Sequence, residues 1–333
     1  MATNSFLRHD TLAGWGKSLD PQGRVAKITE LLTQQNEILE DMLWIEANNI
    51  NGHMTSIRTG LPEVYWAALG EYVLESNSQE AQVTEGIGRM KTWHQVDAEQ
   101  VEMSSSPNDY RMMKGYAHME AMNQEFASTL FYGNATLSPK EFNGLAMRYS
   151  STTAGNGKNV ILGGGVDSAD NTSIWLVVWH GATVAGLFPR GSKAGIVHKN
   201  FGKVTSETSE GLLEVYRDKW QMAPGLALMD HRQVCRIANI DVSELRADTG
   251  SHLANLRKLM TRMVHRVNSL KMGKPVIYMN RTVLEALDVQ GYNDSRTAGP
   301  ITKESVDGVP KRDFMGIPVK ICDAILNTES LAA

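Results

Sequence analysis

The chain has 333 residues, with 37 Asp or Glu against 33 Lys or Arg and a formal net charge of −4. That length accommodates about two domains and a sizeable core. No basic excess or basic stripe is evident, which argues against a protein built to hold nucleic acid tightly, though an ordinary cytosolic protein shows the same balance. Two cysteines, Cys235 and Cys322, fit reduced thiols better than a disulfide framework.

Along the chain, MATNSFLRHD lacks the apolar core of a signal peptide. Residues 1–19 read as an extended polar arm. Asp20 and Pro21 then open a helix, and Val25, Ile28, Leu31, Leu32, Ile38, Leu39 and Met42 fall on one face of it. The pattern ends between Trp44 and Asn51, where asparagines and Gly52 follow. From 53 to 103 the pieces HMTSIRTGL, GEYVLES, AQVTEGIG and KTWHQVDAEQVEM have strand character, with Pro62 interrupting the first. Each holds few large apolar residues. A two-stranded excursion of this kind is marginal alone in water and needs a surface to lie against; a small sheet packed on its own domain is the plainer alternative.

Next comes SPNDYRMMKGYAHMEAMNQEFASTLFYG, residues 106–133. Ser106 suits an N-cap, Pro107 a first helical residue, and Gly133 a left-handed stop. Between them only Gly115 interrupts about 25 residues, or roughly 38 Å of helix, about twice the usual length. Tyr110, Met113, Ala117, Phe126 and Leu130 share one broad side, with Met112, Tyr116 and Met119 nearby. Methionines pack adaptably against more than one neighbour, and they also fill ordinary cores.

Residues 150–171 are rich in Gly, Ser and Asn and read as loop around a short strand. The strands SIWLVVWHGATVAGLF, VTSETSEGLLEVYRDKWQM and GLALMDHRQVCRIANI follow. IWLVVW is too short to cross a bilayer. One long helix is expected from about Ser243 or Gly250 to Leu270, with Gly273 ending it. PVIYMN suits a buried strand, RTVLEALD a short helix, and FMGIPVKICDAI closing strands. The element order is α+β, without regular βαβ alternation.

Motifs for chemistry are weak. GLFPRGSK, Gly186–Lys193, places Ser before Lys, the reverse of a phosphate-binding loop, and Pro189 restricts the backbone between. GSKAG has its Ser in the wrong place for a nucleophile elbow. ILGGGVDSADN and TAGNGKN lack dinucleotide spacing. The histidines show no HExxH pair, and the cysteines no CxxC. No catalytic, cofactor-binding or metal site is expected, and the chain reads as something other than an enzyme.

Whole segments nevertheless resemble a known family. LDPQGRVAKITELLTQQNEILEDMLWIEAN, TSIRTGLPEVYWAALGEYV, MNQEFASTLFYGN, GLFPRGSKAGI, VYRDKWQMAPGLALMDHRQVCRIANIDVS, PVIYMNRTVLEAL and FMGIPVKICDAI look, in collinear order, like major capsid proteins of tailed double-stranded DNA bacteriophages. The resemblance implies the Hong Kong 97-type fold. Residues 1–50 would be the N-terminal arm, 51–103 the extended loop, 104–149 the peripheral domain with its spine helix, 150–310 mainly the axial domain with peripheral-domain strands, and 311–333 the return strand and C-terminal tail. It further implies hexamers and pentamers of an icosahedral shell around double-stranded DNA, assembled in the host cytoplasm. It implies no cofactor, no membrane and no sequence-specific DNA binding. A separate scaffolding protein and a portal are expected partners, and a decoration protein is a further one that some relatives carry.

On that reading Asp20, Pro21, Leu32 and Leu39 set the arm helix. Leu61, Pro62, Tyr65 and Trp66 anchor the extended loop. Met112, Tyr116, Met119 and Phe126 pack the spine helix. The only lysine in 51–103 is Lys91, expected at the loop's base or return strand, so no Lys–Asn cross-link between subunits is expected. Two alternatives remain at this point: an encapsulin-like compartment on the same fold, and a soluble nucleotide-binding α/β enzyme using Gly186–Lys193.

Overall fold

A computed structural model describes residues 34–104, 106–167, 169–208, 211–293, 301–306 and 309–333. In chain order its elements begin with Ile38–Asp41 (α1), Trp44–Glu46 (β1), Gly52–Gly60 (β2), Gln79–Gly86 (β3), Met90–Asp97 (β4), Ala98–Met103 (α2), Pro107–Tyr132 (α3) and Leu145–Arg148 (α4). They continue with Val160–Leu162 (β5), Asn171–Trp179 (β6), Val184–Phe188 (β7), Val197–Thr208 (β8), Gly211–Met222 (β9), Gly225–Leu228 (β10), Val234–Asp241 (β11), Val242–Ala247 (α5) and Leu256–Arg266 (α6). Last come Lys274–Met279 (β12), Arg281–Asn293 (α7), Ile301–Val306 (β13), Val309–Phe314 (β14) and Ile317–Ile321 (β15).

The chain forms two compact units. The described part of the first comprises Met90–Gln124 and Ile196–Met222. Its sheet is antiparallel, in the order β4-β9-β8. The β8–β9 hairpin runs in register from Val197 opposite Gln221 to Thr208 opposite Gly211, with one irregularity between Asn200 and Gly202. Gly202 there takes φ +73°, a conformation that side chains disfavour. The first part of α3 belongs to this unit, and its Tyr110 is buried with Val96 and Val101 against Tyr216. At the helix start the Ser106 carbonyl accepts from the Tyr110 N–H, and its hydroxyl donates to Asp109 at 2.6 Å. Gly115 faces Trp220 so closely that an added Cβ would lie 2.9 Å from the indole.

The second unit comprises Gln34–Arg89, Glu125–Gly195 and Ala223–Ala333. Its large sheet is organised around β6, which pairs antiparallel with β11 on one side and β12 on the other. Every residue of β6 is buried, because both faces of the strand are covered. Ile174, Leu176 and Val178 point to one side and pack with Leu259, Met260 and Met263 of α6 and Val283 and Leu287 of α7. The alternate residues point the other way, as strand geometry demands. There Trp175 meets Phe131 at a tilt and Tyr149 edge-on, with ring centroids 5.8 and 6.1 Å away. The continuous apolar run IWLVVW is thus a two-faced interior strand.

Several expectations are corrected. The chain from Trp44 to Glu46 is a strand paired parallel to β7, and Gln34–Asn36 is not helical, so among the described residues the helix expected from Asp20 to about Trp44 is only the single turn Ile38–Asp41. GEYVLES is irregular, and AEQVEM is helical, capped by Asp97 accepting from the Glu99 N–H. The helix expected across 243–270 is two helices. Asp248 in a left-handed conformation ends the first, and Asn255 caps the second by accepting from the Lys258 N–H. Gly133 does not stop α3 by a left-handed turn. It is needed because a Cβ would come within 2.4 Å of the Phe142 carbonyl.

Candidate assembly surfaces

Among the described residues strands β2 and β3 pair only with each other, from Gly52 opposite Gly86 outward to Gly60 opposite Gln79. At the base Glu85 is buried and receives both terminal nitrogens of Arg148 at 2.5 Å, a bidentate geometry that fixes direction as well as distance. Ile87 bridges to Gly225, and the Gly88 N–H donates to the Pro224 carbonyl. The base is therefore held firmly in the second unit. Lys91 lies beyond it, in β4 opposite Gln221, and not on the hairpin.

At the far end, residues 61–78 leave the ladder. Glu63 N–H donates to Ser76 Oγ at 2.7 Å and ties the two limbs. Among the described residues nothing covers the largest side chains between: Trp66, Leu69 and Tyr72 are as exposed as in an extended peptide, at 102%, 108% and 100%. Leu61 and Val64 are scarcely less open. Apolar side chains gathered at one projecting end are far from the scattered singles of an ordinary surface, and mark an interaction site.

The residues singled out from sequence fall as follows. Leu61, Pro62, Tyr65 and Trp66 cluster at this tip, all exposed. Leu39 is half-buried in α1, whereas Asp20, Pro21 and Leu32 lie outside the described residues. Along α3, Phe126 is buried and stacks with Trp44, centroids 5.8 Å apart. Met119 is half-buried, while Met112 and Tyr116 are exposed at 60% and 49%. Leu69, Tyr72 and Leu74 were missed; their signal was the same run of large apolar residues around Gly70 that carries Trp66.

Two buried polar knots stiffen the second unit. Arg236 donates to Glu329 at 2.8 Å and to the Tyr149 carbonyl, while Ser173 and Tyr132 donate to the other Glu329 oxygen. This fastens the C-terminal segment across β6 and β11. Asp41 accepts from Lys274 at 2.5 Å, Lys320 at 2.8 Å and the Tyr278 hydroxyl at 2.9 Å. Burial would raise the Asp41 carboxyl, but these three donors outweigh it and hold it below the ordinary value.

The segment Gly186–Lys193 is not built as a phosphate cradle. Gly186 lies within β7, and the Gly191 N–H that a phosphate would need already donates to Glu46 at 2.7 Å. Cys235 and Cys322 are buried and free, their thiols pushed up to about 12 by burial. Among the described residues no three His, Cys, Asp or Glu side chains converge as metal ligands, and no helix is long and apolar enough to cross a membrane.

The charge reading does need correcting. Helix α6 is a basic stripe: Leu256, Leu259, Met260, Met263 and Val264 are buried, and Lys258, Arg262, His265 and Arg266 are exposed. From Thr249 to Leu284 the sequence has no Asp or Glu.

A long helix, a two-stranded arm whose tip finds no cover among the described residues and a sheet unit beneath two helices define a shell subunit of the Hong Kong 97 type, as in the capsids of tailed phages. The chain matches the family described as Major capsid protein GP7 over residues 20–333, and it belongs to that family. A chain of bacteriophage Epsilon15 is 29% identical over 97% of each chain, with a TM-score of 0.74. The capsid of bacteriophage JBD30 is 12% identical, covering 88% of this chain and 92% of that one, at TM-score 0.47. The SrpI encapsulin of Synechococcus elongatus PCC 7942 is also 12% identical, covering 65% and 93%, at 0.41. The last two are too remote to add to the assignment. No curated protein matches.

Proposed function

We propose that this major capsid protein closes into an icosahedral shell of hexamers and pentamers around phage double-stranded DNA, without catalysis of its own. The observation that carries the reading is the tip at 61–78, whose Trp66, Leu69 and Tyr72 find no cover among the described residues. A neighbouring copy supplies the missing surface. Leu61, Pro62, Tyr65 and Trp66 anchor the hairpin there, and Met112 and Tyr116 on α3 meet another neighbour. Repeated heterologous contacts of this kind close into a shell under point-group symmetry, and their number makes it stable. The first unit corresponds to the peripheral domain and most of the second to the axial domain. A separate scaffolding protein and a portal complete the assembly, which takes place in the host cytoplasm.

Electron microscopy of the protein expressed alone, with size-exclusion chromatography of the same sample, tests this. Closed shells or rings of five and six are expected. If only monomers form, co-expression with the scaffolding protein must restore shells; failure there too would end the capsid reading.

A further inference from the structure

The exposed residues of α6 follow the spacing i, i+4, i+7, i+8 from Lys258, which on a helix spans about 100° of its circumference. The whole solvent face is cationic or imidazole, and no apolar side chain of the helix is exposed between the charges. At its C-terminal end the helix opens onto a recess of about 440 Å³ lined by Lys158, Asn159, Arg232, Arg266 and Asn268. Arg266 is held at the wall, donating to the Lys158 carbonyl at 2.5 Å and the Val160 carbonyl at 3.1 Å. Arg232 is paired with Asp230 at 2.9 Å. Lys158, Lys258, Arg262, Arg266 and Lys271 have no carboxylate partner among the described residues.

In a chain of net charge −4, five unpaired cations on and beside one helix are a local exception that folding does not require, since the core uses only the opposite face. We infer that the solvent face of α6 and the adjoining recess form a contact surface for the phosphate backbone of the packaged double-stranded DNA. The inference rests on the DNA-enclosing shell reading. A protein partner would be expected to ask for buried aromatic or aliphatic anchors, which this face lacks. A phosphate backbone asks only for cations at regular spacing, and reads no sequence. The pairing is therefore sequence-independent and held by counterion release.

The test uses the full-length, unassembled protein and a random-sequence duplex of about 30 base pairs, with affinity measured by fluorescence anisotropy between about 50 and 200 mM salt. The triple variant Lys258→Gln, Arg262→Gln, Lys271→Gln should bind at least about tenfold more weakly at the lowest salt, with a salt slope shallower by roughly 2 to 3. A charge-matched triple elsewhere in the same unit, Lys140→Gln, Arg190→Gln, Lys193→Gln, should bind like the unsubstituted protein. Equal losses in both triples would mean that net charge alone matters and would overturn the assignment, as would an unchanged slope in the first. Unaltered duplex binding combined with lost binding to polyglutamate would identify an acidic protein as the occupant, which also overturns it. Shells of all three proteins are examined by electron microscopy in parallel. Shells without the slope change reject only the DNA surface, whereas no shells from the unsubstituted protein, even with scaffold, reject the capsid reading beneath it.

Discussion

His94 is nearly buried in the first unit, its ring 4.9 Å from that of His118 and 5.8 Å from Trp220, and its Nδ1 has no hydrogen-bond partner. Burial, then the neighbouring His118, pushes it down to about 4, against a partial opposing pull from Asp218. The unfolded chain takes up this proton near the ordinary value of 6.5, so the unfolded state binds more protons between the two. Stability from a neutral His94 is fully present above about pH 6.5 and is lost as pH falls towards 4. By linkage, about 2 kcal/mol should disappear between about pH 7.5 and 5. Urea unfolding of unassembled protein at the two pH values reads this loss, and His94→Phe should flatten the difference; an equally steep dependence in the variant would show that other groups carry it. The Arg236–Glu329 pair makes a different forecast. Both side chains are about 5% exposed or less, so Glu329→Ala strands a buried guanidinium, and about 3 to 5 kcal/mol of stability should be lost. The double variant Arg236→Met, Glu329→Leu removes both charges and should recover much of that in the same unfolding assay.

Helix α3 carries its one glycine where Trp220 presses against it. Gly115→Ala gains about 1 kcal/mol of helix propensity, yet its methyl meets a ring that cannot swing aside, and overpacking of this kind costs about 1 to 3 kcal/mol. A net loss of about 1 kcal/mol follows, measurable as a lower urea midpoint, and a stabilised variant would disprove the contact. The helix itself was legible from sequence because Ser106 and Pro107 mark its start and no strong breaker follows, whereas the reason for Gly133 at its end, the approach of the Phe142 carbonyl, was not. The sequence also showed β6 as a strand, although the cover on both its faces shows only in the packing. What stayed hidden depends on distant partners. Trp44–Glu46 extends the apolar pattern of the arm helix, but β7 lies alongside and offers a ladder. GEYVLES has β-favouring residues and finds no partner strand among the described residues. The stretch 249–255 continues an apolar period with Leu253, while the left-handed Asp248 and the Asn255 cap divide the helix. The tip residues Leu61, Pro62, Tyr65 and Trp66 were recognised as special through family resemblance, since an apolar run alone does not say whether it is core or surface.

Across the whole molecule, an average hid the most polar feature. A net charge of −4 describes the chain's total and is silent about α6, where every exposed position is basic. The same separation of chain and assembly governs the hairpin. Its base is clamped by Glu85 and Arg148, while Trp66, Leu69 and Tyr72 at its tip are left uncovered by the described residues. Substitutions at the tip should therefore leave the subunit's own stability almost unchanged, within about 0.5 kcal/mol, as for surface sites with no partners. Assembly should respond very differently, because each removed contact is repeated at every symmetry-related position. The triple variant Trp66→Ser, Leu69→Ser, Tyr72→Ser is expected to unfold at the same urea concentration as the unsubstituted subunit, yet to stay unassembled under conditions that give shells. Arg148→Met provides the contrast: it leaves the buried Glu85 unpaired and should lower subunit stability as well as assembly. Particles boiled in detergent should run as one band at 36.8 kDa, since Lys91 sits in β4 and off the hairpin. A ladder of multiples would reveal a covalent weld, and normal shells from the tip triple would show that the hairpin's end is not where neighbouring copies hold one another.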